Sequence, residues 1–75
     1  MENKINFYQE VEILPSNNKK NEKYVGKKGG IMGASEEDGF LYGYAVKLYD
    51  EEYLLYFDKG EVVATGKQLK QEDFY

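Results

Sequence analysis

The 75-residue chain predicts an all-β fold: a small antiparallel barrel of about five short strands. Three observations carry this. Apolar residues alternate with polar ones in "FYQEVEIL", and in "FLYGYAVKLYD" large apolar residues on one face alternate with a smaller, more mixed set on the other. Turn-forming clusters recur between these runs, and no stretch shows a sustained helical period. Twelve aromatic residues, eight of them tyrosine, supply core bulk where no cysteine is present to staple so short a chain.

The elements follow in order. In "FYQEVEIL" Phe7, Val11 and Ile13 share one face, opposite Tyr8, Glu10 and Glu12, which predicts a first strand with one buried side. Pro15 ends its ladder, and "SNNKKNEK" (Ser16–Lys23) is polar and turn-rich, so residues 16–28 are expected to form a flexible polar loop. "GGIMGA" around Ile31 reads as a glycine-weakened second strand. "FLYGYAVKLYD" is the clearest strand. Phe40, Tyr42, Tyr44, Val46 and Leu48 are expected to face the core. Asp50–Glu52 make a turn, and "YLLYF" (Tyr53–Phe57) returns antiparallel. "DKG" (Asp58–Gly60) reads as a hairpin turn into a fifth strand, "EVVAT", and residues 66–75 form a C-terminal extension with room for one helical turn. One domain, an SH3-like barrel over residues 1–75, accommodates all of this.

Composition narrows the function. The chain has no histidine, so proton transfer near neutral pH would fall to carboxylates, lysines or tyrosines, and no catalytic residues are expected. No cysteine is available as a thiolate ligand. No apolar run approaches the ~20 residues that span a bilayer, and "MENKINFYQE" has no apolar signal core, so a cytoplasmic protein with no membrane partner is expected. Net charge is −4, unevenly spread: residues 1–33 carry six lysines against four acids, whereas residues 34–75 carry four lysines against ten acids. Every basic residue is lysine, so no guanidinium is present for bidentate phosphate contacts, and nucleic acid is not the expected partner. A basic protein is the better match for such a field.

"GKKGGIMGASEEDG" (Gly26–Gly39) tests the remaining chemistries. A phosphate loop needs the G-x-x-x-x-G-K-[ST] spacing before a helix, and no βαβ unit fits for a dinucleotide fingerprint. Calcium loops alternate their oxygen ligands, whereas Glu36, Glu37 and Asp38 are consecutive, so no metal is expected there or at Asp50–Glu52. No cofactor is expected either. The glycines are read as bending the chain into a barrel strand, a pattern also found in KOW-type barrels. In that alternative Lys19, Lys20, Lys23, Lys27 and Lys28 would contact RNA. Paired-carboxylate hydrolysis would need two acids across a cleft, but every acid cluster falls in a predicted turn. Tyr42, Tyr44, Tyr49, Tyr53 and Tyr56 form a stripe of tyrosines that can serve core and cross-strand pairing or dock a peptide. Tyr49 and one of Tyr53 and Tyr56 are expected at the surface.

Taken in order, "EVEILPS", "GKKGGIMGASEEDG", "YGYAVKLYDEE" and "FDKGEVVATGKQLKQEDFY" resemble the immunity protein family 31 of bacterial polymorphic-toxin systems. The resemblance spans Val11–Tyr75, its most specific parts being the EEDG turn with the downstream "YAV" and the closing "TG…EDFY". It implies a small all-β protein that binds and neutralises a toxin domain and catalyses nothing. On that reading Glu36, Glu37, Asp38, Asp50, Glu51 and Glu52 steer a basic toxin surface, and Tyr49 and Tyr53 anchor it. A generic SH3-like adaptor for proteins or peptides is the alternative without a toxin.

Overall fold

A computed structural model describes residues 4–17 and 19–74, without side-chain detail at 71 and 74. The chain forms one antiparallel five-stranded sheet, an all-β fold, comprising β1 (Gln9–Ile13), β2 (Lys28–Glu37), β3 (Phe40–Leu48), β4 (Leu55–Asp58) and β5 (Val62–Gln68). The spatial order is β4-β3-β2-β1-β5. Strands from both edges bury residues in one cluster, Phe57 of β4 and Val62 of β5 joining Val11, Ile13, Ile31, Leu41, Tyr44, Val46 and Leu48. Edges that share a core require the sheet to curl on itself, as a small barrel does.

The strand phases hold only in part, and bulges explain where they fail. On β3, Tyr44, Val46 and Leu48 are buried as expected, but Leu41 is buried whereas Phe40 and Tyr42 are exposed. The β2–β3 register runs from Ser35↔Gly43 directly to Glu36↔Leu41, so Tyr42 is an extra residue in β3. A one-residue bulge flips the face of everything beyond it. Tyr42, expected in the core, therefore stands outside. A second bulge adds Met32 to β2 between Ile31↔Val46 and Gly33↔Ala45. In the first strand Val11 and Ile13 are buried, but Phe7 is 61% exposed. Tyr8, at φ 63°, breaks the extended chain just ahead of Gln9.

Connections differ from the sequence reading in four places. Within the 16–28 loop, residues Lys19–Tyr24 wind into a 3-10 helix, and Tyr24 packs edge-on against Phe57, with ring centroids 5.9 Å apart. Asp58–Gly60 is no hairpin turn, because a 3-10 turn (Lys59–Glu61) carries the chain from β4 to β5, which pairs with β1 instead. Tyr53 and Leu54 precede β4 rather than belonging to it. Residues 66–68 continue β5, Leu69 is buried, and a 3-10 turn follows at Gln71–Phe74; Tyr75 lies outside the described residues.

The glycine-rich stretch does two jobs. Gly26 (φ 85°) turns the chain before β2, and Asp38 and Gly39 (φ 53° and 77°) give the paired positive φ angles of a type I′ hairpin turn. Gly29 instead sits inside β2, where an added Cβ would lie 2.3 Å from the Lys47 carbonyl oxygen and 2.6 Å from the Leu48 Cα. There the glycine admits a neighbouring backbone and bends nothing.

Candidate binding surface

The residues named from the sequence fall at opposite ends of β3. Glu36 and Glu37 close β2, and Asp38 occupies the hairpin turn. Tyr49–Tyr53 lie in the connection from β3 to β4, past the other end of the strand. Nine strand residues at ~3.3 Å each separate the groups by about 30 Å, comparable with the 32 Å long axis of the molecule. The two acidic clusters do not converge.

At the β3–β4 end the side chains of Tyr49 and Asp50 are held by internal contacts, whereas Glu51 and Glu52 have no cationic partner among the described residues. Asp50 pairs with the Lys27 ammonium, which draws its carboxyl below the ordinary range and raises Lys27 in turn. Lys47 donates to the carbonyls of Leu48 and Glu51. The Tyr49 hydroxyl donates to Glu10 Oε2 at 2.6 Å, and the Thr65 hydroxyl donates to Oε1 of the same carboxylate at 2.7 Å. Burial and that bond to Glu10 push the Tyr49 hydroxyl well above its usual value. Tyr49 directly follows the last residue of β3 and Glu10 lies on β1, so this side chain reaches across β2, where side-chain-free Gly30 stands opposite Glu10. Tyr49 thus ties three strands together across a glycine. Glu52 is exposed and Tyr53 is 76% exposed.

A second buried carboxylate fastens the long loop. Glu61 accepts hydrogen bonds from Ser16 Oγ (2.8 Å), Asn21 Nδ2 (3.0 Å) and the Asp58 N–H (2.9 Å). Burial pushes its pKa up, but the bonds from Asn21, Asp58 and Ser16 outweigh this and hold it below the ordinary value. Neither Glu10 nor Glu61 stood out in the sequence. Glu10 looked like an ordinary outward residue of an alternating strand, and its cover depends on a register that the sequence does not state.

The β2–β3 end is different. From Ala34 to Phe40 the hairpin is exposed on both strands, an arm reaching beyond the core. Glu36 pairs with Lys4 at 2.6 Å, but among the described residues neither Glu37 nor Asp38 has a cationic partner. On the same arm the Phe40 and Tyr42 rings meet with centroids 5.1 Å apart, and the Lys59 ammonium lies 4.5 Å from the Phe40 ring centre. Phe40 and Tyr42 are the surface residues that sequence reasoning missed. The available signal was Gly43, since a glycine inside a strand pattern marks a bulge.

Among the described residues no group of three or more carboxylates is placed to hold a metal ion, and no helix is long and apolar enough to cross a membrane. Of the lysines in the RNA alternative, Lys27 is committed to Asp50 and Lys23 lies over the Tyr24 ring. Comparison with protein-family models, curated proteins and solved structures gives no match.

Proposed function

We propose that this chain is an immunity-type binding protein that captures a basic toxin domain through the arm of the β2–β3 hairpin. One observation supports this reading above the others: Glu37 and Asp38, without cationic partners among the described residues, stand beside the paired rings of Phe40 and Tyr42, outside the core. Exposed aromatics supply contact area at low entropic cost, and free carboxylates accelerate encounter with a basic surface. The steering role given to Asp50 and the anchoring role given to Tyr49 pass to this arm, because those two side chains already serve internal contacts.

The test is co-expression of toxin domains from the chain's genomic neighbourhood, followed by stopped-flow association with any domain it neutralises. A Glu37→Lys, Asp38→Lys variant should associate at least ~10-fold more slowly, with a flattened salt dependence. A Glu51→Lys, Glu52→Lys variant should associate as wild type. Equal effects from both variants, or none from the first, reject the assignment to the arm; failure to neutralise any neighbouring toxin rejects the immunity role.

A further inference from the structure

Beside the hairpin arm runs a shallow, open groove of about 450 Å³ between β5 and the start of β3. Val62, Val63 and Ala64 form one wall and Leu41 and Tyr44 the other, with Ile5, Lys59 and Gly60 completing it. Among the described residues β5 pairs on one side only, with β1. The phase of that ladder follows from the Leu14 N–H, which donates to the Glu61 carbonyl at 2.8 Å. Antiparallel pairs alternate between bonded and open, so Glu12–Val63 is bonded, while Ile13–Val62 and Val11–Ala64 are open. The N–H and C=O groups of Val62 and Ala64 therefore point away from β1, toward the groove. Further along, β5 protects itself: Gly66, at φ 96°, and Lys67 lie where its register with β1 slips.

We propose that the groove takes an extended segment of the partner protein, added as a strand alongside Val62–Ala64. An apolar side chain of that segment packs on Leu41, and a lysine or arginine reaches Glu37 and Asp38. Unpaired backbone groups on a sheet edge are a template for strand addition, while side-chain pockets give it specificity. Leu41 lies two residues past the Asp38–Gly39 turn, about 7 Å at strand rise, so a cation two or three residues along the same extended segment falls at the hairpin tip. Charge favours that cation, since among the described residues Glu36 alone of the three acids has a cationic partner. The proposal rests on the hairpin arm being the docking surface, and adds the form of the ligand.

The experiment titrates the 15N-labelled chain with a synthetic peptide, Ac-KVKVKVK-NH2, and with two versions N-methylated either at every valine or at the inner lysines. Strand addition uses the amides of only one peptide edge. One methylated version should therefore lose at least tenfold in affinity, about 1.4 kcal/mol, while the other binds as the parent does. The parent should shift Leu41 and slow exchange of the Val62 and Ala64 amides. An Ala64→Pro variant, which removes an edge N–H without touching the β1 ladder, should lose affinity in parallel. Equal binding by all three peptides overturns the inference, as does absence of binding at millimolar peptide. Shifts confined to Glu37, Asp38, Phe40 and Tyr42 overturn strand addition but leave the hairpin reading standing. Protection of Val62 and Ala64 that rises with protein concentration alone overturns it in favour of a second copy.

Discussion

Replacing Tyr49 with phenylalanine isolates the bond that crosses the sheet. The Tyr49 hydroxyl lies 2.6 Å from a Glu10 carboxylate that is only 9% exposed, and the other oxygen of that carboxylate is held by Thr65. A hydrogen bond to a charged group contributes about 1.5–3 kcal/mol. Tyr49 itself is 48% exposed, so water can partly replace the lost hydroxyl and the loss falls at the lower end, about 1.5 kcal/mol. For a domain of this size that lowers Tm by roughly 6–12 °C.

The pH dependence separates the bond from simple ring packing. Tyr49 and then Thr65 hold the Glu10 carboxyl below its ordinary value of 4.5, against the opposing push of burial. A depressed carboxyl stabilises the fold above its unfolded pKa, and the contribution disappears as pH falls through the folded pKa. The difference between wild type and Tyr49→Phe in urea titrations should accordingly be full at pH 7 and shrink toward pH 3. A difference under about 0.5 kcal/mol at pH 7, or one that persists undiminished in acid, refutes the reasoning. On the proposed function the same variant should capture a toxin domain as well as wild type does, because the Tyr49 hydroxyl already serves an internal contact.

Three further outcomes follow from the packing. Gly29→Ala should cost about 1–3 kcal/mol in urea unfolding, because its Cβ meets the backbone of Lys47 and Leu48, whereas Gly33→Ala, whose nearest neighbour is the Ala45 Cβ at 3.7 Å, should be nearly neutral. Glu61→Ala should accelerate amide exchange across residues 16–24 and reduce the loss of stability on acidification, since this carboxyl is also held below its ordinary value. Phe57→Ala, at a fully buried site that also seats Tyr24, should cost about 3–5 kcal/mol, enough to leave much of a small domain unfolded at 37 °C by thermal melt.

How much of this was legible in the sequence follows from what each feature depends on. Val11, Ile13, Tyr44, Val46 and Leu48 were readable because a period of two needs only local alternation. Phe40 and Tyr42 were assigned to the wrong face because the same period carries its phase only as far as the next bulge, and the extra residue at Tyr42 belongs to the pairing of two strands. Asp58–Gly60 resembled a hairpin turn for a similar reason. The composition marks a turn, but which strand follows it into the sheet is set by β1. Buried Glu10 depends on partners 39–55 residues away, and Glu61, apart from the local Asp58 N–H, on partners 40–45 residues away, beyond any local pattern.

The same reasoning decides between the two acidic clusters. In the sequence they look like one charged surface, twelve residues apart from Asp38 to Asp50. Because the intervening residues form a strand, the clusters stand about 30 Å apart, and a modest partner interface centred on one leaves the other at its margin. On the proposed function, steering and anchoring then come from the same end. At the β3–β4 end Asp50 is neutralised by Lys27 and Tyr49 is bound to Glu10. At the hairpin end Glu37 and Asp38 lie within five residues of the exposed Phe40 and Tyr42 rings, and the edge of β5 that is unpaired among the described residues borders the same groove as Leu41. Charge, apolar area and backbone unpaired among the described residues therefore coincide at one end of the barrel, which is where the proposed function places the partner.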